Sequence, residues 1–129
     1  MADIMIVDDD RDIVALLKFL LENDGHRITT ACNGGEALTQ LGVEPPRPDA
    51  EIPDLIVLDV MMPVMDGYTV CSRLAKNGRM RSVPLVILTA KGEMHDLFQT
   101  STNVADCLEK PFDPKTLREL IAGILAKKK

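Results

Sequence analysis

Three runs of four consecutive apolar residues, Ile4-Met5-Ile6-Val7, Leu55-Ile56-Val57-Leu58 and Leu85-Val86-Ile87-Leu88, are separated by stretches with helical periodicity. That alternation constrains the fold more than any other feature of the chain. Apolar runs this short, uninterrupted by polar residues, read as strands covered on both faces. Behind the first run, Asp10 predicts a helix N-cap, Ile13, Leu16, Leu17, Leu20 and Leu21 follow at helical spacing, and Gly25 supplies a stop. The pattern continues with a β-prone segment Arg27 to Ala31, a helix over Gly35 to Leu41, a helix over Tyr68 to Lys76 and a helix over Glu93 to Thr100. A weaker strand, Ala105 to Glu109, leads to the best-marked helix: Asp113 as cap, Pro114 at the first position, then Leu117, Leu120, Ile121, Ile124 and Leu125 on one face. Five strands alternating with five helices predict an α/β fold, a doubly wound parallel sheet with helices on both faces, because a parallel crossover needs a covering segment of about a dozen residues.

The chain's 129 residues suit one domain, residues 1–129, that needs neither disulfide nor metal for stability. One segment departs from compact habit. Over 42–53 the prolines Pro45, Pro46, Pro48 and Pro53 forbid continuation of the second helix, and the stretch is long for a helix-to-strand loop, so it is expected as an exposed, partly extended insertion. The balance of 15 Lys and Arg against 20 Asp and Glu, a net charge of −5, argues against direct binding to nucleic acid. The first apolar run ends at Asp8-Asp9-Asp10, too soon for a signal-peptide core or a membrane span, which predicts a cytoplasmic protein. Cys32, Cys71 and Cys107 show no metal or disulfide spacing and read as packing or surface thiols. His26 and His95 read as solvated.

The polar residues that close the strands carry the chemistry. The first strand runs into Asp8 and Asp9, the third into Asp59, the fourth into Thr89 and the fifth into Lys110. In an open parallel sheet the ligand crevice lies outside the carboxyl ends of the strands, so these side chains converge on one pocket. Three neighbouring carboxylates repel one another unless a hard cation sits among them, and an all-oxygen site with few carboxylates suits Mg²⁺. A phosphoryl group on one carboxylate would then meet the metal, the Thr89 hydroxyl and the Lys110 ammonium, the partners such a dianion needs. Asp10 is expected to serve only as the helix cap. Met61, Met62 and Met65 read as loop packing.

The segments Ile6-Val7-Asp8-Asp9-Asp10, Leu58-Asp59-Val60-Met61-Met62-Pro63-Val64-Met65-Asp66-Gly67, Thr89-Ala90 and Lys110-Pro111-Phe112, taken in that order, resemble the receiver domain of two-component response regulators. The resemblance implies a flavodoxin-like sheet of order 2-1-3-4-5. It implies a signalling phosphoacceptor, not an enzyme, that assists its own phosphorylation and autodephosphorylation and switches an output surface. By the same resemblance Asp59 accepts a phosphoryl group from a sensor histidine kinase or a histidine phosphotransfer protein. Mg²⁺ is held by Asp8, Asp9, Asp59 and the backbone carbonyl of Met61, with Asp9 a direct ligand. Thr89 and Lys110 engage the phosphoryl group, and the Lys110-Pro111 bond is expected to be cis. The downstream protein target is not specified, and no membrane partner is implied. Two departures stand out: Cys107 occupies the position where the family carries an aromatic switch residue, and Asn103-Val104 replaces the usual Gly-Ala. The alternatives are a pseudo-receiver that signals without phosphorylation and, further off, an aspartyl-phosphate phosphatase, which wants a second acid where Met61 stands.

Overall fold

The computed structural model describes residues 2–59, 67–90, 104–110 and 112–127. The elements follow in the order β1 (Asp3–Val7), α1 (Arg11–Asn23), β2 (Arg27–Ala31), α2 (Gly34–Gln40), β3 (Leu55–Asp59), α3 (Gly67–Lys76), β4 (Leu85–Ala90), β5 (Val104–Lys110) and α4 (Pro114–Lys127). All five strands are parallel and lie in the order β2-β1-β3-β4-β5, the doubly wound arrangement that the alternation predicts. The helix expected over 93–100, the residues Met61, Met62, Met65 and His95, and the Lys110-Pro111 bond lie outside the described residues.

Local chemistry sets the boundaries. Asp10 caps α1, its side chain accepting hydrogen bonds from the backbone N–H of Asp12 at 3.0 Å and of Ile13 at 3.3 Å. Past the C-terminal end of that helix, Gly25 adopts φ +92°, a left-handed turn that glycine takes without steric cost. α2 starts at Gly34 because the side chain of Asn33 accepts from Glu36 N–H at 2.8 Å. At α4 the Asp113 side chain receives Lys115 N–H at 2.9 Å, and Pro114 stands at the first helical position, where a missing N–H costs nothing.

Successive residues of each strand feed two opposite core layers. Met5, Val7, Ile56, Leu58, Leu85 and Ile87 pack with Ala37, Leu38, Val70 and Leu74 of α2 and α3. Ile4, Ile6, Leu55, Val57, Val86 and Leu88 pack with Leu17 and Leu21 of α1 and with Leu117 and Ile121 of α4. Burial on both faces explains why the strands read as continuous apolar runs.

The 42–53 insertion is exposed over much of its length, but up to residue 50 it coils in successive turns instead of running extended, with Arg47 N–H bonded to Gly42 O at 2.8 Å and Ala50 N–H to Arg47 O at 3.0 Å, and with the Arg79 side chain donating to the carbonyls of Arg47 and Ala50. Two expectations are corrected. His26 is half-buried, its Nδ1 accepting from the backbone N–H of Ala2 at 3.3 Å, since β1 and β2 start side by side. Leu16 is 46% exposed, because the face of α1 toward the sheet is centred on Leu17 and Leu21 and leaves Leu16 and Phe19 outside.

Candidate functional site

Register brings the strand-end residues together. Val7 pairs with Leu58, so Asp8 and Asp59 extend adjacent strands side by side. Asp59 pairs with Leu88, one residue before Thr89, and Ala90 pairs with Lys110. Asp8 continues the row Ile4, Ile6 and Asp59 the row Leu55, Val57, the rows that face α1 and α4. Lys110 continues the row of Leu108 on that same side, and Thr89 stands one residue beyond the partner of Asp59 on the neighbouring strand.

Asp8, Asp59 and Thr89 are buried, at 1%, 2% and 0% exposure, while Asp9 faces solvent. Carboxylate oxygens of Asp8, Asp9 and Asp59 all lie within 4.8 Å of one another. The Lys110 ammonium stands 3.2 Å from Asp8 Oδ2 and 3.2 Å from Asp59 Oδ2, donating to both. On the other side of Asp8, the backbone N–H of Asp10 donates to Oδ1 at 2.9 Å. This contact is one the sequence reading missed: Asp10 caps the helix with its side chain and steers Asp8 with its backbone, and a main-chain donor leaves no signal in residue type.

The titration behaviour follows from this crowding. Burial raises the pKa of Asp8 above the usual carboxylate range, and the charge and hydrogen bond of Asp59 add to the rise, against the opposing pull of Asp10 N–H and Lys110. Burial alone would lower the pKa of Lys110, but the two carboxylates outweigh it and hold the ammonium above its ordinary value. Lys110 therefore stays charged, and with two buried acids and one exposed acid around it the pocket carries excess negative charge. Three carboxylates with oxygens within 4.8 Å of one another fit a small hard cation, whose charge would offset the burial and the neighbouring acid that raise Asp8.

Among the site residues proposed from sequence, Asp8, Asp9, Asp59 and Lys110 thus form one cluster and Thr89 is buried on the strand next to Asp59. Met61 lies outside the described residues.

Comparison with known proteins agrees with this architecture. The family model for the response regulator receiver domain matches residues 4–122. The chain is 39% identical over 123 residues to the alkaline phosphatase synthesis transcriptional regulatory protein PhoP of Bacillus subtilis (strain 168), an alignment covering 95% of this chain and 48% of that protein. It spans about half the length of such curated relatives. Among solved structures, the receiver domain of Francisella response regulator 1452 superposes with a TM-score of 0.83 at 27% identity, covering 100% of both chains. The signal receiver domain of a signal transduction histidine kinase from Syntrophus aciditrophicus gives a TM-score of 0.83 at 30% identity, covering 98% of this chain and 92% of that one. With a match over nearly its whole length and the acidic cluster and lysine at the sheet edge, the chain belongs to the response regulator receiver domain family.

Proposed function

We propose that Asp59 is the phosphoacceptor of a two-component signalling step, taking a phosphoryl group from a phosphohistidine on a sensor kinase or a histidine phosphotransfer protein. The observation that carries this reading is the placement of Asp59 at a buried strand end, with carboxylate oxygens of Asp8 and Asp9 within 4.8 Å and Lys110 Nζ at 3.2 Å. In the transfer a P–O bond forms at an Asp59 oxygen as the donor's P–N bond breaks, and negative charge gathers on the phosphoryl oxygens. Lys110, held charged by Asp8 and Asp59, is positioned to follow that charge. Thr89, one residue beyond the partner of Asp59, supplies a hydroxyl on the neighbouring strand.

Asp8, Asp9 and Asp59, with the backbone carbonyl of Met61, would hold Mg²⁺. Bound there, the cation offsets the charge of the acids and of the incoming phosphoryl oxygens. Asp10 N–H and Lys110 hold the two oxygens of Asp8 in place, leaving the exposed Asp9 as the carboxylate with most freedom to meet the ion directly.

The role is one of signalling: the phosphorylated form is the message, and slow self-dephosphorylation ends it. Its net charge of −5 gives this segment no attraction for nucleic acid. PhoP of Bacillus subtilis is a transcriptional regulatory protein about twice as long as the matched region. For the present chain the output is a protein surface or an attached module, acting in the cytoplasm. No helix among the described residues is long and apolar enough to cross a membrane.

Mass spectrometry after incubation with acetyl phosphate and Mg²⁺ tests the reading. The parent should gain one base-labile phosphoryl group that requires the metal, and Asp59→Asn should gain none. Equal incorporation in the variant would refute the assignment, and the pseudo-receiver alternative predicts no incorporation in either.

A further inference from the structure

The proline-rich insertion over 42–53 plays no part in the phosphoryl site. It leads through Pro53 and Asp54 into the start of β3, with Asp54 N–H bonded to Asp3 O at 2.7 Å, so it lies at the strand edge opposite Asp59. We propose that it is a closed strap latched by Arg79, a unit that opens and closes without unfolding the sheet.

Two independent observations carry the proposal. The first is the guanidinium of Arg79, which arrives from the turn between α3 and β4. It donates to the carbonyls of Arg47 at 3.2 Å, of Leu41 at 3.5 Å, and of Ala50. Arginine has five donors in a rigid fork and can satisfy several carbonyls at once, which an ammonium on a flexible stem does less well. The base of the latch is firm: Asn77 Oδ1 accepts the N–H groups of Arg79 at 3.0 Å and Met80 at 3.2 Å, and Met80 is completely buried.

The second observation is the pivot. Gly42 adopts φ +73°, and a Cβ built there would lie 2.6 Å from Ala50 Cβ and 2.6 Å from Arg47 O. The far half of the insertion therefore closes directly onto Gly42, in a conformation that other residues adopt only with strain. Around this pivot Arg47 turns its guanidinium back to the carbonyls of Thr39 and Gln40, the terminal acceptors of α2, and Glu44 pairs with Arg73 on α3. At the root of the strap Leu41, and within it Val43, are buried in the core, at 1% and 8% exposure. The latch itself is made of polar contacts that are exposed or only part-buried and lie outside the sheet, so it can release while the sheet keeps its own hydrogen bonds.

Hydrogen exchange on the full chain tests this, read at the amides of Arg47 and Ala50, which are bonded only within the closed strap. In Arg79→Met and in Gly42→Ala these amides should exchange at least about tenfold faster than in the parent, with Arg79→Lys in between. The amides of β1 and β3 should stay protected and phosphoryl uptake at Asp59 should be unchanged. Parent-like protection of Arg47 and Ala50 in Arg79→Met would overturn the latch. Loss of protection spreading into β3, or failure of Arg79→Met and Arg79→Lys to fold, would overturn the claim that the strap is a separate unit. Absence of phosphoryl uptake in the parent would count against the function proposed for Asp59 and leave this test intact.

Discussion

Asp8 is buried beside a second acid, and its raised pKa marks a cost to the folded state. The sign follows from linkage. Folding raises this carboxyl's pKa above 3.8, so in the interval between the two values the folded chain binds more protons than the unfolded one. Stability contributed by this group is present at acid pH and lost as pH rises through the folded pKa. Asp8→Asn removes the charge and keeps one acceptor oxygen, for Asp10 N–H, while Lys110 retains Asp59 as its partner. It should therefore raise stability at pH 7 by on the order of 1 kcal/mol, a rise of roughly 3–5 °C in Tm, while Mg²⁺ affinity falls at least about tenfold. Calorimetry with and without the metal checks both halves; a lower Tm at pH 7 would contradict the argument. Met61 belongs to the same scale. An apolar side chain two residues beyond the acceptor cannot orient water for attack on phosphorus, so the phosphorylated state should persist, and Met61→Asn should hasten its decay several-fold in a phosphate-release time course.

Helix α1 separates two neighbouring aspartates by role. Asp10 feeds its side chain to Asp12 and Ile13 N–H, whereas Asp9 faces solvent at the acidic cluster. Asp10→Ala should cost about 1 kcal/mol of stability, the usual loss of an N-cap, and change Mg²⁺ affinity by less than about threefold. Asp9→Asn should do the reverse, leaving Tm within about 1 °C and weakening the metal site about tenfold or more. A metal titration giving equal losses would merge roles that the structure keeps apart. The far end of α1 is tied to α4 by Arg118, whose Nε lies 2.9 Å from Asp24 Oδ2 and whose second nitrogen meets Oδ1. This partner holds the Asp24 pKa below 3.8, so the stability it contributes is present above that value and lost as pH falls through the folded pKa. In Arg118→Ala the Asp24 pKa, followed by carboxyl NMR, should return toward its ordinary value.

At the scale of the whole molecule the question is how the phosphorylated state reaches the surface of β5 and α4. Cys107 is partly buried against the layer that contains Cys71, and burial, followed by the charge of Asp106, pushes its thiol pKa up, so it stays neutral. A small neutral thiol moves little apolar area when its surroundings shift, whereas an aromatic ring changes place with a large payload. A ligand shifts an equilibrium only by its differential contacts with the two states, so the bias on this surface should be about 1 kcal/mol, against the roughly 5.5 kcal/mol that a near-complete switch requires. Adding beryllofluoride and Mg²⁺ should alter exchange across Val104–Lys127 by less than about fivefold in the parent and by more in Cys107→Tyr. Large changes in the parent, indifferent to that substitution, would show that another residue reads the site.

What the sequence determined alone was whatever depends on neighbours along the chain. Strand runs such as Leu55 to Leu58, the caps Asp10 and Asp113 and the stop at Gly25 follow from periodicity and local hydrogen bonding. Because every parallel strand delivers its last residue to one edge, even the gathering of Asp8, Asp59 and Lys110 was legible. Contacts between residues far apart in sequence were not. Lys110 bridges acids 102 and 51 positions away, and Arg79 closes a strap 32 residues back to Arg47, where a partly extended segment was expected. The proline-rich composition of that strap ruled out helix but could not reveal coiling, because Arg79, which donates to the carbonyls of Arg47 and Ala50 alongside the strap's own amides, comes from another element. A side chain's long-range partners are decided by which surfaces the fold brings within reach, and no local pattern encodes them.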